Sequence, residues 1–247
     1  MNPGDRVGLE LPPGLGFSLE LAASDRLCYS ASAMMDASTT HPSRRDRARV
    51  TRLRMTRAAQ RVFIARGYAG ARMADIAAEA GVAVQTVYFT FHTKAELLQA
   101  CYELAVLGED DPRPPVSQPW YAAMLDAGDG RAAIRLFAEG FSAIAARVAL
   151  LDDVVRSAAH EPEALKVRSL NEQLRRDGYG RIAGHLAGRF GLAAGLGQAE
   201  AVDIMFTLAG PATYRCLVAD CGWPHDRFVD WLAATLSQQL LAPGAAY

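Results

Sequence analysis

The chain has 247 residues, enough for one large or two small domains, and 51% of them are hydrophobic, as is typical of a globular protein. It has no run of about 18 apolar residues and no basic start followed by an apolar stretch, so we expect neither a membrane helix nor a secretory signal, and a cytoplasmic location. The net charge of −1 conceals a basic segment at residues 44–100, with 11 basic and 4 acidic side chains between two acidic regions, which is typical of polyanion binding.

The first 43 residues contain clusters of Pro and Gly and a run of small residues, without helical or strand periodicity. This composition predicts a disordered N-terminal extension. A first helix is predicted to follow and to end at Gly67, because its apolar residues recur near the spacing i, i+3, i+4, i+7. Arginines between Arg44 and Arg57 form either a solvated helix face or an arm that reaches DNA phosphates or a minor groove.

Three shorter helices are predicted next, at residues 73–80, at residues 84–91 and from Thr93 onward. Gly81 is expected to separate the helix at 73–80 from the helix at 84–91, because glycine accepts the left-handed conformation that such a corner requires. The Val82 side chain is expected to fill the angle between these two helices. The Thr93 hydroxyl group can cap the last of the three.

The corner and the short helix after it are typical of a helix–turn–helix, whose second helix enters the major groove of DNA. The outward face of that helix is rich in Gln, Thr and Tyr; Gln pairs with adenine edges, and hydroxyl groups reach phosphate oxygens. The same geometry occurs in helical bundles that do not bind DNA, but here it coincides with the basic segment. The candidate DNA-binding residues are Arg72, Val84, Gln85, Thr86, Tyr88, Phe89, Thr90, Thr93 and Lys94.

Residues 50–105 resemble the DNA-binding domain of TetR-family transcriptional regulators. The residues that carry the resemblance are Phe63, Gly67, Tyr68, Ile76, Ala77, Ala80, Gly81, Val82, Thr86, Tyr88, Phe91, Lys94 and Leu97. The resemblance implies that Thr86 and Tyr88 contact phosphate and that Lys94 clamps the DNA backbone. It also implies that Gln85 and Phe89 face the groove. The core that it implies consists of Phe63, Ile76, Val82, Val87 and Phe91.

Three residues depart from the family pattern. Arg72 and Ala83 stand where Ser or Thr is usual, so the second and third helices are expected to lack a side-chain cap. Arg72 is instead a candidate phosphate contact. Thr90 stands where His is frequent, so any DNA contact made by that His is not expected here.

The segment 108–119 is rich in Pro and acidic residues and predicts a linker between a helix–turn–helix domain at 44–107 and a second domain at 120–247. Apolar stripes in the second domain predict further helices, with an interruption at Gly210 and Pro211. Because no segment shows sustained alternation with period two, we expect an all-α protein without a sheet.

The family resemblance implies that the second domain binds a ligand and forms a homodimer. A pocket would lie between the fourth helix and the helices of residues 120–185, and its candidate lining residues are Tyr102, Trp120, Phe137, Phe141 and His160. The candidate dimer-interface residues are Leu217, Phe228, Trp231, Leu232 and Leu236. Packing in the core of one chain would use the same residue types, so both sets have an ordinary structural alternative.

The sequence favours a DNA-binding transcriptional repressor that a small-molecule ligand releases from a palindromic operator. Two alternatives remain: a nonspecific architectural DNA binder without an inducer, and a helical enzyme with a basic module. We expect no enzyme activity, since no nucleophile–base pair, phosphate loop or metal cluster is recognisable. No cofactor or metal site is predicted, and the expected partners are duplex DNA, a small molecule and a second copy of the chain.

Overall fold

The computed structural model describes residues 43–108, 112–158 and 160–242, and in these ranges the fold is all-α, as the sequence predicts. A single isolated bridge, between Leu192 and Leu241, is the sole strand-like pairing in the described ranges. No helix in this part of the chain is long and apolar enough to cross a membrane. The predicted extension, apart from Ser43, lies outside the described residues, and so do residues 109–111 of the predicted linker.

Helix α1 spans Arg44–Gly70, so the candidate arginine arm begins on a helix. Its start is set by Ser43: the Asp46 N–H donates to the Ser43 hydroxyl (3.1 Å), and the Ser43 N–H donates to the Asp46 carboxylate (3.2 Å). The hydrogen bonds from Ser43 lower the pKa of the Asp46 carboxyl. Gly67, with φ 68°, breaks the helix where the sequence predicts its end, but one further turn follows before Ala71.

Helices α2 (Met73–Ala80) and α3 (Val84–Phe91) have the predicted bounds. Gly81 lies between them with φ 64° and ψ 41°, which confirms the left-handed corner. The Gly81 N–H donates to the Ala78 carbonyl (3.1 Å), and the Val82 N–H donates to the Ala77 carbonyl (3.0 Å). This pair of hydrogen bonds satisfies carbonyls at the end of α2 and sets the direction in which α3 leaves.

Helix α4 spans Lys94–Leu107, and the Thr93 hydroxyl accepts a hydrogen bond from the Glu96 N–H (3.1 Å), as predicted for its cap. A short 3-10 helix spans Pro115–Ser117, and the remaining described α-helices are α5 (Pro119–Asp126), α6 (Gly130–Ser157), α7 (Pro162–Phe190), α8 (Gln198–Leu208), α9 (Pro211–Tyr214) and α10 (His225–Leu240). Gly210 and Pro211 separate α8 from α9, as predicted. Helix α9 continues directly into a π-helical turn at Arg215–Asp220.

The buried apolar side chains form two cores. The first, which we call the proximal core, combines α1 to α4 with the end of α6 and the start of α7. The second, the distal core, combines α5, the rest of α6 and α7, and the helices up to α10. The predicted core residues of the helix–turn–helix all pack in the proximal core: Phe63, Ile76, Val87 and Phe91 are buried, and Val82 is half-buried. The helices after the linker therefore complete the core of the helices before it.

Candidate DNA-binding site

Helix α3 has one buried face and one exposed face. Val87 and Phe91 point into the proximal core and fix the rotation of the helix. Gln85 on the opposite face is exposed, Phe89 is 85% exposed and Tyr88 is 49% exposed. A large apolar ring left this open to solvent is unusual at the surface of a soluble protein. The three side chains are presented outward together, as the sequence predicts for groove contacts.

The other predicted residues of α3 are less accessible. Val84 is half-buried and packs against the proximal core. Thr86 and Thr90 are also half-buried, and the Thr90 hydroxyl donates to the Thr86 carbonyl (2.8 Å) within the helix. A hydroxyl oxygen keeps acceptor capacity when its hydrogen is donated, so both threonines stay candidate contacts at the edge of the exposed face.

Several arginines of the basic segment hold the helix–turn–helix together. Arg66 forms an ion pair with Asp75 (2.7 Å) and Arg61 forms one with Glu79 (2.8 Å), which tie α1 to both ends of α2. The Arg52 guanidinium lies over the Phe91 ring, 4.3 Å from its centroid, and so joins α1 to the end of α3. These arginines of the basic segment therefore help to fix the orientation of α3.

The N-termini of α2 and α3 lack side-chain caps, which confirms the expectation drawn from Arg72 and Ala83. Arg72 is exposed at the start of α2, at a helix terminus without a side-chain cap. Such a helix start attracts anions. The position of Arg72 is compatible with the predicted phosphate contact.

Lys94 has a partner inside the chain that the sequence did not reveal. Its ammonium group donates to the Tyr68 carbonyl (2.9 Å) and lies over the Tyr68 ring, 4.2 Å from the centroid. Tyr68 is buried against Phe63, so Lys94 anchors the end of α1 to the start of α4. Because an ammonium group has three N–H donors, a phosphate contact by Lys94 remains geometrically compatible with this bond.

Polar contacts join the helix–turn–helix region to the helices after the linker. The Tyr68 hydroxyl donates to Glu163 on α7 (3.2 Å), and the Tyr102 hydroxyl donates to Asp152 on α6 (3.0 Å). Burial and the nearby carboxylate raise the pKa of both tyrosines, so each keeps the proton that it donates.

Two further links involve α4 itself. The Asn171 amide on α7 donates to the Gln99 side chain (2.9 Å), and the Arg147 guanidinium on α6 donates to the carbonyl of Ala105 (2.8 Å). Sequence reasoning missed these residues, since no local pattern shows which helices meet.

The candidate pocket residues do not form one group. Phe137 and Phe141 are buried in the distal core, where they pack on each other and on Tyr179, and the half-buried Trp120 packs against Phe137. Tyr102 belongs to the proximal core instead. The prediction for His160 is corrected: this residue lies in the turn before α7, with its side chain 73% exposed, because the chain leaves α6 there.

The candidate dimer-interface set is also divided. Phe228, Leu232 and Leu236 are fully buried within the chain's own distal core, so their assignment to the seam between two copies is corrected. Leu217 and Trp231 are half-buried. Phe228, Leu232 and Leu236 lie on the apolar side of α10, which points inward because an amphipathic helix buries that side against its own chain.

An open groove of about 430 Å³ lies between α8 and α10 at the surface of the chain. Its lining residues are Asp203, Ile204, Thr207 and Leu208 of α8 and Thr235 and Gln239 of α10. Trp231 precedes Thr235 by one turn on α10 and is therefore on the same side of that helix. Ile204 and Leu208 are half-buried apolar side chains at the surface of a groove that α8 and α10 form together.

The comparison with family models gives a match at residues 56–101, to the family described as bacterial regulatory proteins, tetR family. Over 56 residues the chain is 45% identical to the HTH-type transcriptional regulator TtgR of Pseudomonas putida. That alignment covers 23% of this chain and only 27% of the relative. The residues that the family model matches contain the helix–turn–helix and end before the linker.

Solved structures extend the likeness over most of the described chain. NalD, described as the secondary repressor of the MexAB-OprM multidrug efflux pump in Pseudomonas aeruginosa, superposes with a TM-score of 0.62 at 18% identity, covering 78% of this chain and 98% of that one. FadR from Bacillus subtilis, solved in complex with stearoyl-CoA, gives 0.60 at 16% identity, covering 74% and 96%. At such identities the likeness establishes the shared fold.

Proposed function

We propose that the chain is a TetR-family transcriptional repressor that binds a palindromic operator as a dimer and is released by a small-molecule ligand. The observation that carries this proposal is the exposed face of α3, on which Gln85, Tyr88 and Phe89 project together from a helix fixed by its buried side. The similar fold of NalD, which is described as a repressor, supports repression rather than activation.

The chemistry of the three side chains suits reading a major groove. The Gln85 amide can donate to and accept from an adenine edge, and the Phe89 ring can contact the methyl group of thymine. The Tyr88 hydroxyl can reach a phosphate and so fix the register of the helix. In this arrangement α2 lies across the DNA backbone and supports α3, with Arg72 near a phosphate.

Ligand control would act through the contacts that join the two parts of the chain. Tyr102 and Gln99 tie α4 to α6 and α7, and Tyr68 ties the end of α1 to the start of α7. A ligand that prefers a shifted arrangement of α6 and α7 would therefore favour a different position of α4 and α1. The similar fold of FadR, which was solved with stearoyl-CoA, supports a ligand-responsive second half.

The groove between α8 and α10 is the proposed dimer interface. Its half-buried Ile204 and Leu208 give an apolar centre, and Asp203 and Gln239 give a polar rim, which is the usual anatomy of an interface. A symmetric dimer uses the same patch on both copies. With this attachment the two basic segments need not pack against each other, which avoids repulsion between them.

The test is a selection of bound sequences from random duplex DNA, made with the wild-type protein, with Gln85→Ala and with Gln173→Ala. Wild type should return a palindrome whose half-sites are about 10–10.5 base pairs apart, or a multiple of that spacing. Gln85→Ala should lose preference at one or two positions in each half-site, by roughly 1–3 kcal/mol.

Gln173 is an exposed Gln on α7, and its replacement should leave the motif unchanged. A wild-type selection without any motif would identify a nonspecific DNA binder instead. The same motif from wild type and from Gln85→Ala would show that Gln85 does not read bases.

A further inference from the structure

Arg175, on α7, carries a charged group directed into the protein. Its Nη1 atom is buried and has no hydrogen-bond partner among the described residues. A buried N–H group without a partner destabilises the fold, and a charged one does so more strongly than a neutral one. The Nη1 group of Arg175 can therefore accommodate a hydrogen-bond partner that the described part of the chain does not supply.

The surroundings of Arg175 are aromatic. The guanidinium lies over the Phe206 ring of α8, 4.0 Å from its centroid. One turn further along α7 is Tyr179, which is buried against Phe137 and Phe141 of α6. The guanidinium therefore lies at the edge of the aromatic cluster of the distal core, which was predicted in part as the lining of a ligand pocket.

Gly210 packs closely beside the same group. A Cβ atom at this position would lie 3.5 Å from Arg175 Nη1 and 3.2 Å from the Phe206 carbonyl oxygen. The chain bends there, between α8 and α9, and any larger residue would approach the guanidinium and the backbone. Glycine thus permits the close packing of this bend against the guanidinium and against the end of α8.

Arg176, the next residue on α7, has an ordinary surface environment and provides a comparison for Arg175. The Arg176 guanidinium lies over the Phe206 ring at 4.0 Å too, but Arg176 is exposed and forms an ion pair with Asp203 (2.7 Å). Arg175 instead interacts through space with Asp152, whose carboxylate accepts from the Tyr102 hydroxyl. Asp152 thus compensates part of the charge of Arg175 without filling the hydrogen-bonding capacity of Nη1.

We propose that Arg175 binds the carboxylate group of the regulatory ligand, and that this ligand is an organic monoanion whose apolar body lies against Phe137, Phe141 and Tyr179. A carboxylate accepts two parallel N–H bonds from a guanidinium and would satisfy Nη1, while the rings bury the rest of the molecule. The bound anion competes with Asp152 for the guanidinium. Since Asp152 holds Tyr102 of α4, this competition would transmit binding toward the helix–turn–helix. The regulatory effect of this ligand rests on the proposed function, whereas its binding to Arg175 does not.

The experiment measures binding in the absence of DNA, by thermal shift and by isothermal titration, with two pairs of probes. The aromatic pair is 2-naphthoate and 2-naphthamide, and the aliphatic pair is decanoate and decanamide. In at least one pair the carboxylate should bind and raise the melting temperature, whereas its neutral amide should bind about tenfold or more weakly, since charged hydrogen bonds discriminate to that extent. Equal binding of acid and amide in both pairs, or no binding of either acid at millimolar concentration, would overturn the proposal.

Variants locate the site. Arg175→Gln should weaken the binding of the carboxylate about 10- to 100-fold, and Arg175→Lys, which keeps the charge but not the planar fork, should weaken it less. Arg176→Gln is the matched control, because this arginine touches the same ring, and it should bind like wild type. Asp152→Asn removes the competing charge and should bind the carboxylate more tightly.

Loss of binding in Arg176→Gln equal to that in Arg175→Gln would overturn the assignment, and so would wild-type binding by both Arg175 variants. Circular dichroism checks that each variant folds. These measurements use no operator DNA. A failure of ligand binding is therefore distinguishable from a failure of the DNA selection to return a specific sequence.

Discussion

Lys94 illustrates how a single side chain can serve both the fold and DNA binding. Its ammonium group bonds to the Tyr68 carbonyl at the end of α1, where the partial negative charge of a helix terminus favours a cation. The family resemblance assigns the same residue to the DNA backbone. Both roles draw on one positive charge at the start of α4, so replacing the residue should affect stability and DNA binding together.

We therefore predict two effects of Lys94→Ala. The free energy of unfolding should fall by about 1–2 kcal/mol, because a charged hydrogen bond and a cation–π contact are lost. The slope of log K against log salt for DNA binding should fall by about two units per bound dimer, because each of the two chains loses one phosphate contact.

Urea unfolding and binding titrations at several salt concentrations measure these effects. The control is Lys166→Ala, at an exposed lysine of α7, which should change neither quantity. An unchanged slope in Lys94→Ala, together with reduced stability, would show that Lys94 supports α1 and does not contact phosphate.

At the scale of the helices, the turn between α2 and α3 requires a left-handed backbone. Gly81 adopts φ 64°, and no heavy atom lies within 4 Å of the place where a Cβ would be. A substitution there meets no steric neighbour, so its cost comes from the backbone conformation alone. A substitution at Gly81 therefore measures the cost of the left-handed corner without a change in core packing.

Gly81→Ala should reduce the free energy of unfolding by about 1–2 kcal/mol. Gly178→Ala is the matched control, since Gly178 lies inside α7 and a Cβ there also meets nothing within 4 Å. That change should instead stabilise the protein by about 0.5–1 kcal/mol, because alanine favours the helix. Denaturant unfolding of both variants gives the comparison. Equal effects of the same sign would contradict the role of the left-handed corner.

The helices differ in how far the sequence predicts them. The bounds of α2 and α3 follow from local signals, because a glycine corner and a strict apolar spacing act within a few residues. The exact first residue of α1 does not follow from the apolar pattern, because the capping contact between Ser43 and Asp46 precedes that pattern. Arg175 was missed because α7 looks polar along its length, although the spacing to Tyr179 puts this arginine on the buried side.

At the scale of the whole molecule, the two cores share α6 and α7. One end of each of these helices completes the proximal core under the helix–turn–helix, and the rest forms the distal core. A rearrangement of α6 or α7 therefore bears on both cores at once. The linker predicted from the sequence marks a change of composition. It does not separate two cores, because helices from both sides of it pack together in the proximal core.

The proposed mechanism requires two copies of α3 on one operator, since one short helix covers too few base pairs for specific recognition. The open groove of α8 and α10 supplies the surface through which two chains would join. Because Leu232 is buried within one chain, a change at that residue would unfold the protein rather than separate a dimer. Ile204 and Thr235 line the groove and are the appropriate positions for a test.

The most direct measurement of this central claim is the mass of the protein in solution by light scattering, at micromolar concentration. Wild type should have twice the chain mass of 26.6 kDa, and so should Leu174→Arg, a control at a half-exposed leucine of α7 outside the groove. The double variant Ile204→Arg, Thr235→Arg should have the mass of a single chain, retain its helical circular dichroism and lose specific DNA binding. A wild-type mass of 26.6 kDa, or a double variant that remains a dimer, would contradict the proposed assembly.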